Sequence, residues 1–177
     1  ESFQQVQSDY KNKFEVLVVN DGSTDDTAKV AEEILAQDSL LDGRVITKEN
    51  GGHGSTINRG IQEAKGKFFK VIDGDDWVIP SEFEKFLDTL ETVDVDMVIT
   101  DFTEQHVYNN TTVRNDFVDK YEIGKKYIGI PDVRIPMHSV TYKTSILSEN
   151  KIRLSEKTFY VDIQYTLFPL EYVHSFS

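Results

Sequence analysis

The stretch FEVLVVNDGSTDDTAKVAEEILAQ, residues 14–37, holds a strand, a turn and a helix in direct succession. Its first six residues are mainly apolar and β-branched, which is typical of a strand buried in a parallel sheet. Gly22 is suited to the turn, and Ser23 or Thr24 is predicted to cap the helix that follows. The rest of the stretch has apolar residues at helical spacing, so one strand–helix unit is predicted.

The same alternation continues through the first hundred residues. The predicted elements are a strand at 44–48, a helix at 56–66, a strand at 67–73, a helix at 80–91 and a strand at 95–100. Pro80 opens the third helix, and Ser81 with Glu84 predicts a capping box. Strands that alternate with helices predict an α/β fold of Rossmann-like type, with a mostly parallel sheet flanked by helices.

The second half of the chain has a less regular pattern. The predictions there are a hairpin at 102–117, a loop at 128–140, and helices at 142–150 and 161–173, the last interrupted by Pro169. No repeat or linker divides the sequence, and we therefore expect a single domain over residues 1–177.

Composition excludes several classes of protein. The chain has 177 residues and a formal net charge of −12, which argues against nucleic-acid binding because phosphate contacts need clustered Lys and Arg. No apolar run is long enough for a membrane span, and the first residues do not form a signal peptide. Cysteine is absent, which fits a reducing compartment. We expect a cytoplasmic protein, with peripheral attachment to the cytoplasmic face of a membrane as an alternative.

Three polar loops follow predicted strands: residues 20–26, 49–55 and 73–77. Ligands of open α/β sheets bind beyond the carboxyl ends of the strands. We therefore expect these loops to converge on one ligand-binding edge of the sheet.

The third loop holds three aspartates in four positions, Asp73, Asp75 and Asp76. Two carboxylates about 4 Å apart repel by roughly 4 kcal/mol at an effective dielectric near 20. A divalent cation would remove this repulsion, and hard oxygen ligands suit Mg²⁺ or Mn²⁺. In an extended segment Asp73 and Asp75 lie on the same side and can share one ion. The alternative is a solvated turn in which an aspartate caps a helix.

The other two loops contain further candidates for ligand binding. Asp21 either closes an Asx-type turn or accepts hydrogen bonds from a base or ribose. Gly51 lies in a glycine-rich loop whose amides could approach a phosphate or ribose. Arg59 is a candidate phosphate clamp and otherwise a surface residue, while His53 is a candidate ligand and otherwise a loop histidine.

Two candidates lie in the second half of the chain. Asp162 precedes a predicted helix and is either a charge at the helix N-terminus or a general base. His138 is a candidate ligand or acceptor contact, with a structural role as the alternative.

The segments FEVLVVNDGSTDDT and KENGGHGSTINRGIQEAKGKFFKVIDGDDWV resemble the nucleotide-sugar-binding half of family-two inverting glycosyltransferases, which have the GT-A fold. The resemblance covers roughly residues 12 to 100. It implies a nucleotide-sugar-binding half at 1–100 and an acceptor-side half at 101–177. It also implies that the family's first strand is missing, because the chain starts at what resembles the end of the first helix.

The resemblance assigns roles to individual residues. It implies that Asp21 contacts the nucleotide base, that Asp73 and Asp75 hold ribose and the metal-bound diphosphate, and that Asp162 deprotonates the acceptor. The implied partners are a nucleotide-diphospho-sugar, with uridine as the family-level expectation, and a glycan, glycolipid, lipid-linked or cell-wall polymer acceptor. The implied cofactor is Mn²⁺ or Mg²⁺, and the implied reaction is a single displacement with inversion.

Two other classes of protein remain as alternatives. A phosphatase of the haloacid dehalogenase type also has a D-x-D after an apolar strand, although there it usually lies near the start of the domain. A non-catalytic nucleotide-sugar-binding module would need no general base. A sugar-nucleotide pyrophosphorylase is disfavoured because its basic, glycine-rich signature near the first strand is not seen.

Overall fold

The structure, a computed structural model, describes residues 1–117 and 119–177. Its strands are β1 (Glu15–Asn20), β2 (Asp42–Thr47), β3 (Phe68–Lys70), β4 (Met97–Ile99), β5 (Phe102–His106), β6 (Thr111–Asn115), β7 (Tyr127–Ile128), β8 (Val140–Lys143) and β9 (Ser175–Phe176). The α-helices are α1 (Thr27–Ala36), α2 (His53–Glu63), α3 (Pro80–Thr92), α4 (Thr144–Glu149) and α5 (Val161–Leu167). Short 3-10 helices lie at Ser2–Gln5, Ser8–Lys13, Met137–Ser139 and Phe168–Tyr172.

The sheets are mixed rather than mostly parallel. β1 and β2 pair in parallel, as predicted, with Glu15 opposite Asp42 and Asn20 opposite Thr47. A second sheet has the order β3-β8-β4-β9-β7. In it β8 runs antiparallel to both neighbours, and only β4 and β9 are parallel among the described pairs. The α/β class is therefore confirmed, but β3 and β4 are separated by a strand from the second half of the chain.

The sequence patterns did not predict β8. It has four residues, of which the first three are fully buried, in a place where the pattern predicts the end of a loop and the start of a helix. A short strand that is buried on both faces shows no polar–apolar alternation, so periodicity cannot detect it. The hairpin prediction is confirmed by β5 and β6, which pair from Phe102 opposite Asn115 to His106 opposite Thr111.

Several local predictions are wrong. β1 was expected to be buried, yet all its residues except Asn20 are partly exposed. α1 follows Asp26 without a side-chain cap, so neither Ser23 nor Thr24 caps it. Glu84 forms no capping box, because its carboxylate accepts hydrogen bonds from the backbone and side-chain amides of Gln7 at 2.9 and 2.8 Å. Long-range contacts take precedence over local capping here.

The main core joins both halves of the chain. Helix α2 contributes Ile57 and Ile61, which belong to the same buried cluster as Tyr142 of β8 and Tyr165 of α5. The Tyr142 hydroxyl donates to the Thr166 carbonyl at 2.7 Å, so this buried phenol has a partner. None of the helices in the described residues combines the length and apolarity needed to span a bilayer.

Helix α2 is tied to residues 154–160, a segment that we call the bracket. The Asn58 side chain donates to the Leu154 carbonyl at 2.9 Å and accepts from the Leu154 amide at 2.8 Å. The Lys157 amide donates to the Gly51 carbonyl at 2.8 Å. A Cβ on Gly54 would lie 2.1 Å from the Ser155 carbonyl oxygen, so only glycine permits this approach. The bracket leads directly into α5 and so places the start of that helix.

We expect Gly54→Ala to lower the free energy of unfolding by about 3 kcal/mol, because α2 and the bracket must separate to admit the methyl group. Urea denaturation followed by circular dichroism measures the change. Gly74→Ala is the matched control, since a Cβ there meets no atom within 4 Å. Equal stability of the two variants would contradict the tight packing of α2 on the bracket.

Candidate functional site

The three polar loops converge, as predicted from the strand ends. The Asp21 carboxylate, at the end of β1, accepts hydrogen bonds from the Gly51 and Gly52 amides at 2.9 and 2.8 Å. The next residue, His53, has its Nε2 atom 3.3 Å from Oδ1 of Asp73 in the third loop. A continuous series of polar contacts therefore links all three loops.

The carboxylate of Asp21 is fully engaged by the protein. The Lys48 ammonium lies 2.5 Å from Oδ1 and also donates to the Ser55 hydroxyl at 2.8 Å. Partial burial alone would raise the pKa of Asp21, but hydrogen bonds from Lys48, Gly51 and Gly52 outweigh it and lower the pKa. In this structure Asp21 holds the glycine-rich loop in place, and its contact with a nucleotide base stays a prediction.

The two other residues predicted to bind the donor also have protein partners. Gly51 donates its amide to Asp21 and accepts at its carbonyl from Lys157. Arg59 forms an ion pair with Glu63 one helical turn further along α2, at 2.7 Å. Donor binding by Gly51 and Arg59 stays a prediction, and nothing in their contacts brings Arg59 to the acidic cluster.

The acidic loop forms a turn rather than the extended segment that we expected. The Asp76 amide donates to the Asp73 carbonyl at 3.0 Å, which closes a turn over these four residues. Ligand atoms of Asp73, Asp76 and His138 consequently lie within 4.8 Å of one another. Asp75 is exposed and outside this group. The structure therefore groups Asp73 with Asp76 and His138, whereas the sequence pattern paired it with Asp75.

Two imidazoles contact the carboxylates of the acidic cluster. Nδ1 of His138 lies 3.4 Å from Oδ2 of Asp76. The hydrogen bond between His53 and Asp73 raises the pKa of the imidazole, despite partial burial, and lowers the pKa of the carboxyl group. Sequence reasoning favoured a structural role for both histidines, because their positions 20 and more residues from the aspartates carry no spacing signal.

Lys70 contacts the segment that carries His138, and the sequence pattern does not predict this role. Its ammonium donates to the His138 carbonyl at 2.6 Å and to the Thr100 hydroxyl at 3.3 Å. Burial of the ammonium lowers the pKa of Lys70 to about 8. These hydrogen bonds hold the 3-10 helix that carries His138 against the end of β3.

An open cleft of about 330 Å³ lies over the cluster. Its lining residues are His53, Asp73, Met137, His138, Thr158, Phe159, Tyr160, Val161 and Asp162. The side chain of Asp162 is exposed, and its charge contributes to the raised pKa of His53. The cleft thus combines a carboxylate and imidazole cluster able to bind a cation with a separate exposed carboxylate able to accept a proton.

We expect Asp21→Asn to lower the free energy of unfolding by about 2 kcal/mol at pH 7, because Lys48 then loses its counter-charge. The folded-state pKa of Asp21 is depressed below 3.8. Its charge therefore stabilises the fold above the unfolded pKa, and this stability is lost as the pH falls through the folded value. Urea denaturation of both proteins from pH 7 to about pH 3 should show a shrinking difference.

Asp26→Asn is the control for this experiment, because the Asp26 side chain makes no capping hydrogen bond. It should unfold like the parent protein at every pH. A difference between Asp21→Asn and the parent that stays constant down to acidic pH would contradict the ionic interaction.

Comparison with known proteins identifies the family. Residues 1–152 match the family described as glycosyl transferase family 2. Glycosyltransferase GlyG of Streptococcus pneumoniae is 34% identical over 94 residues, which cover 52% of this chain and 30% of GlyG. The teichoic acid poly(glycerol phosphate) polymerase of Staphylococcus epidermidis is 25% identical over 170 residues, 92% of this chain and 23% of the polymerase.

Solved structures show the same fold. The structure of S. aureus TarS 1-349 in complex with UDP superposes with a TM-score of 0.70 at 21% identity, covering 94% of this chain and 52% of that one. The chain thus spans about half of the TarS chain and about a third or less of the curated relatives it matches. From the family match over residues 1–152, together with this GT-A architecture, the chain belongs to glycosyl transferase family 2.

Proposed function

We propose that this domain transfers a sugar from a nucleotide-diphospho-sugar, a UDP-sugar in the first instance, to a glycan, lipid-linked or cell-wall polymer acceptor. The observation that carries the proposal is the single cleft shared by the cluster of Asp73 and His138 and by the exposed carboxylate of Asp162. A glycosyltransferase needs two features within reach of one bound donor. One is a group of side chains that binds the diphosphate, and the other is a base that deprotonates the acceptor hydroxyl.

The relatives support a uridine donor and a polymer acceptor. TarS was crystallised in complex with UDP and with UDP-GlcNAc, and its fold matches this chain. One relative is named as a polymerase of teichoic acid. In this proposal Asp21 and the glycine-rich loop that it holds form the wall of the base pocket, and Asp73 contacts the ribose.

The residues of the acidic loop fit a divalent cation. Carboxylate oxygens suit both Mn²⁺ and Mg²⁺, and an imidazole nitrogen favours Mn²⁺ of the two. A small set of protein ligands leaves positions for phosphate oxygens. Asp73 belongs to both ligand sets, with Asp75 from the sequence pattern and with Asp76 and His138 from the geometry. A bound cation would offset the charge of the leaving diphosphate.

The proposed reaction is a single displacement with inversion. Asp162 accepts the proton of an acceptor hydroxyl, whose oxygen forms a bond to the anomeric carbon of the donor. The bond between that carbon and the diphosphate oxygen breaks at the same time, and the nucleoside diphosphate leaves. His53, Asp73 and Asp162 line the same cleft, and the charges of both carboxylates contribute to the raised pKa of the His53 imidazole, after its hydrogen bond with Asp73.

The family match removes one alternative and leaves the other open to test. A phosphatase of the haloacid dehalogenase type is wrong, because the chain belongs to glycosyl transferase family 2. A binding module without catalysis would use the same donor site but would not depend on Asp162.

We expect UDP to bind in the presence of Mn²⁺ and to lose most of its affinity in EDTA or in Asp73→Asn, the ligand common to both sets. Calorimetry measures the dissociation constants. Asp75→Asn and Asp76→Asn then identify the second carboxylate ligand of the cation. Only the substitution of a true ligand should reduce the metal-dependent affinity for UDP. Metal-independent binding of UDP by the parent protein would contradict the cation site.

We expect Asp162→Asn to reduce UDP release from a panel of UDP-sugars by about 10²–10⁴-fold while the affinity for UDP stays unchanged. An amide cannot accept the proton, but it preserves the shape of the cleft. Glu149→Gln, an exposed carboxylate on α4, is the control and should keep full turnover. Equal turnover of Asp162→Asn and the parent would exclude Asp162 as the base.

A further inference from the structure

Two aromatic side chains that line the cleft are largely exposed to solvent. Phe159 is 87% exposed and Tyr160 is 77% exposed, although both line the cleft. Within the described residues neither ring packs against another aromatic ring, and the Tyr160 hydroxyl makes no hydrogen bond. Large aromatic surfaces left in water at a concave site are typical of a binding surface.

The backbone that carries these rings is held in an unfavourable conformation. Tyr160 has φ 61° and ψ 31°, in the left-handed region that bulky residues rarely adopt. Such strain is typical of functional sites and persists only where the surroundings enforce it. The left-handed conformation of Tyr160 turns the chain from the bracket into α5, immediately before the buried Val161 and the proposed base Asp162.

Hydrogen bonds hold the first part of the bracket, and the buried Val161 follows directly after it. Leu154 is held by Asn58, and the Lys157 amide by the Gly51 carbonyl. The Ser155 amide donates to the Gln164 side chain of α5 at 2.8 Å. A preorganised surface loses little conformational entropy when it binds a ligand.

The charges of the cleft indicate what kind of ligand fits. The described lining contains the carboxylates of Asp73 and Asp162 and the imidazoles of His53 and His138, with no Lys or Arg. Apart from the cation proposed for the donor diphosphate, the lining side chains offer a phosphate on the acceptor no Lys or Arg to pair with its charge. A neutral sugar ring has polarised C–H groups on one face, which pack well on the electron-rich face of an aromatic ring.

We propose that Phe159 and Tyr160 form the acceptor subsite and stack against a neutral pyranose ring whose hydroxyl reaches Asp162. This inference rests on the proposed function and narrows its acceptor to a glycosyl unit, in preference to a polyol phosphate. The two residues bind the acceptor, and the donor contacts the opposite wall of the cleft.

The test measures two affinities on the same protein. Saturation-transfer NMR with saturating UDP and the diamagnetic Mg²⁺ gives dissociation constants for methyl β-glucoside, methyl β-galactoside and chitobiose, and for glycerol 3-phosphate as the anionic alternative. Calorimetry gives the affinity for UDP alone. We expect at least one neutral glycoside to bind and glycerol 3-phosphate not to bind.

The variants assign the binding to the two rings. Phe159→Ala and Tyr160→Asn should each weaken glycoside binding about tenfold through the lost stacking, with the affinity for UDP unchanged. Asparagine tolerates the left-handed conformation, so Tyr160→Asn should fold like the parent. Tyr160→Phe should retain binding. Tyr108→Ala removes an 84% exposed tyrosine outside the cleft and should change nothing.

The outcomes separate the two proposals. Failure of UDP to bind overturns the proposed function, and the acceptor subsite with it. If UDP binds, the subsite is overturned by any of three results: no glycoside binds, glycoside affinity is unaffected by both variants, or glycerol 3-phosphate binds in their place.

Discussion

The reciprocal pair of hydrogen bonds between the Asn58 side chain and the Leu154 backbone is the constraint on which the site depends. Both groups are buried, and each donates one hydrogen bond to the other and accepts one in return. Separating them would leave buried polar groups without hydrogen-bond partners. This pair joins a helix from the first half of the chain to the bracket from the second. Together with the hydrogen bond from Lys157 to Gly51 and the core that α2 shares with α5, this pair places Asp162 in the cleft that contains Asp73.

The electrostatics of the site follow from the same architecture. Carboxylates of this acidic chain lie at the ends of its strands, and two of them, Asp21 and Asp73, have partners of their own. Lys48 and two loop amides stabilise the charge of Asp21, while His53 does so for Asp73. Asp162 has no such partner among the described residues and stays exposed, so its carboxylate is free for the role proposed for it.

The sequence predicted those elements whose signals are local. The strand–turn–helix pattern of residues 14–37 is observed as β1 and α1, and the two asparagines at 109–110 turn the hairpin, where Asn110 has φ 54°. The convergence of three loops followed from the rule for strand ends alone. The pattern could not predict β8, whose four residues belong to the sheet only because β3 and β4 both pair with them.

The sequence by itself determined the α/β class, the family resemblance and the residue types of the site, because motif order and hydrophobic period are properties of the chain. Tertiary structure alone decided which residues meet. A turn replaced the extended segment, so Asp76 and His138 joined Asp73 while Asp75 remained outside. It also decided that Phe159 and Tyr160 stay exposed at the cleft. Contacts between residues distant in sequence leave no periodic or compositional signal, since their energy is realised only after the intervening chain has folded.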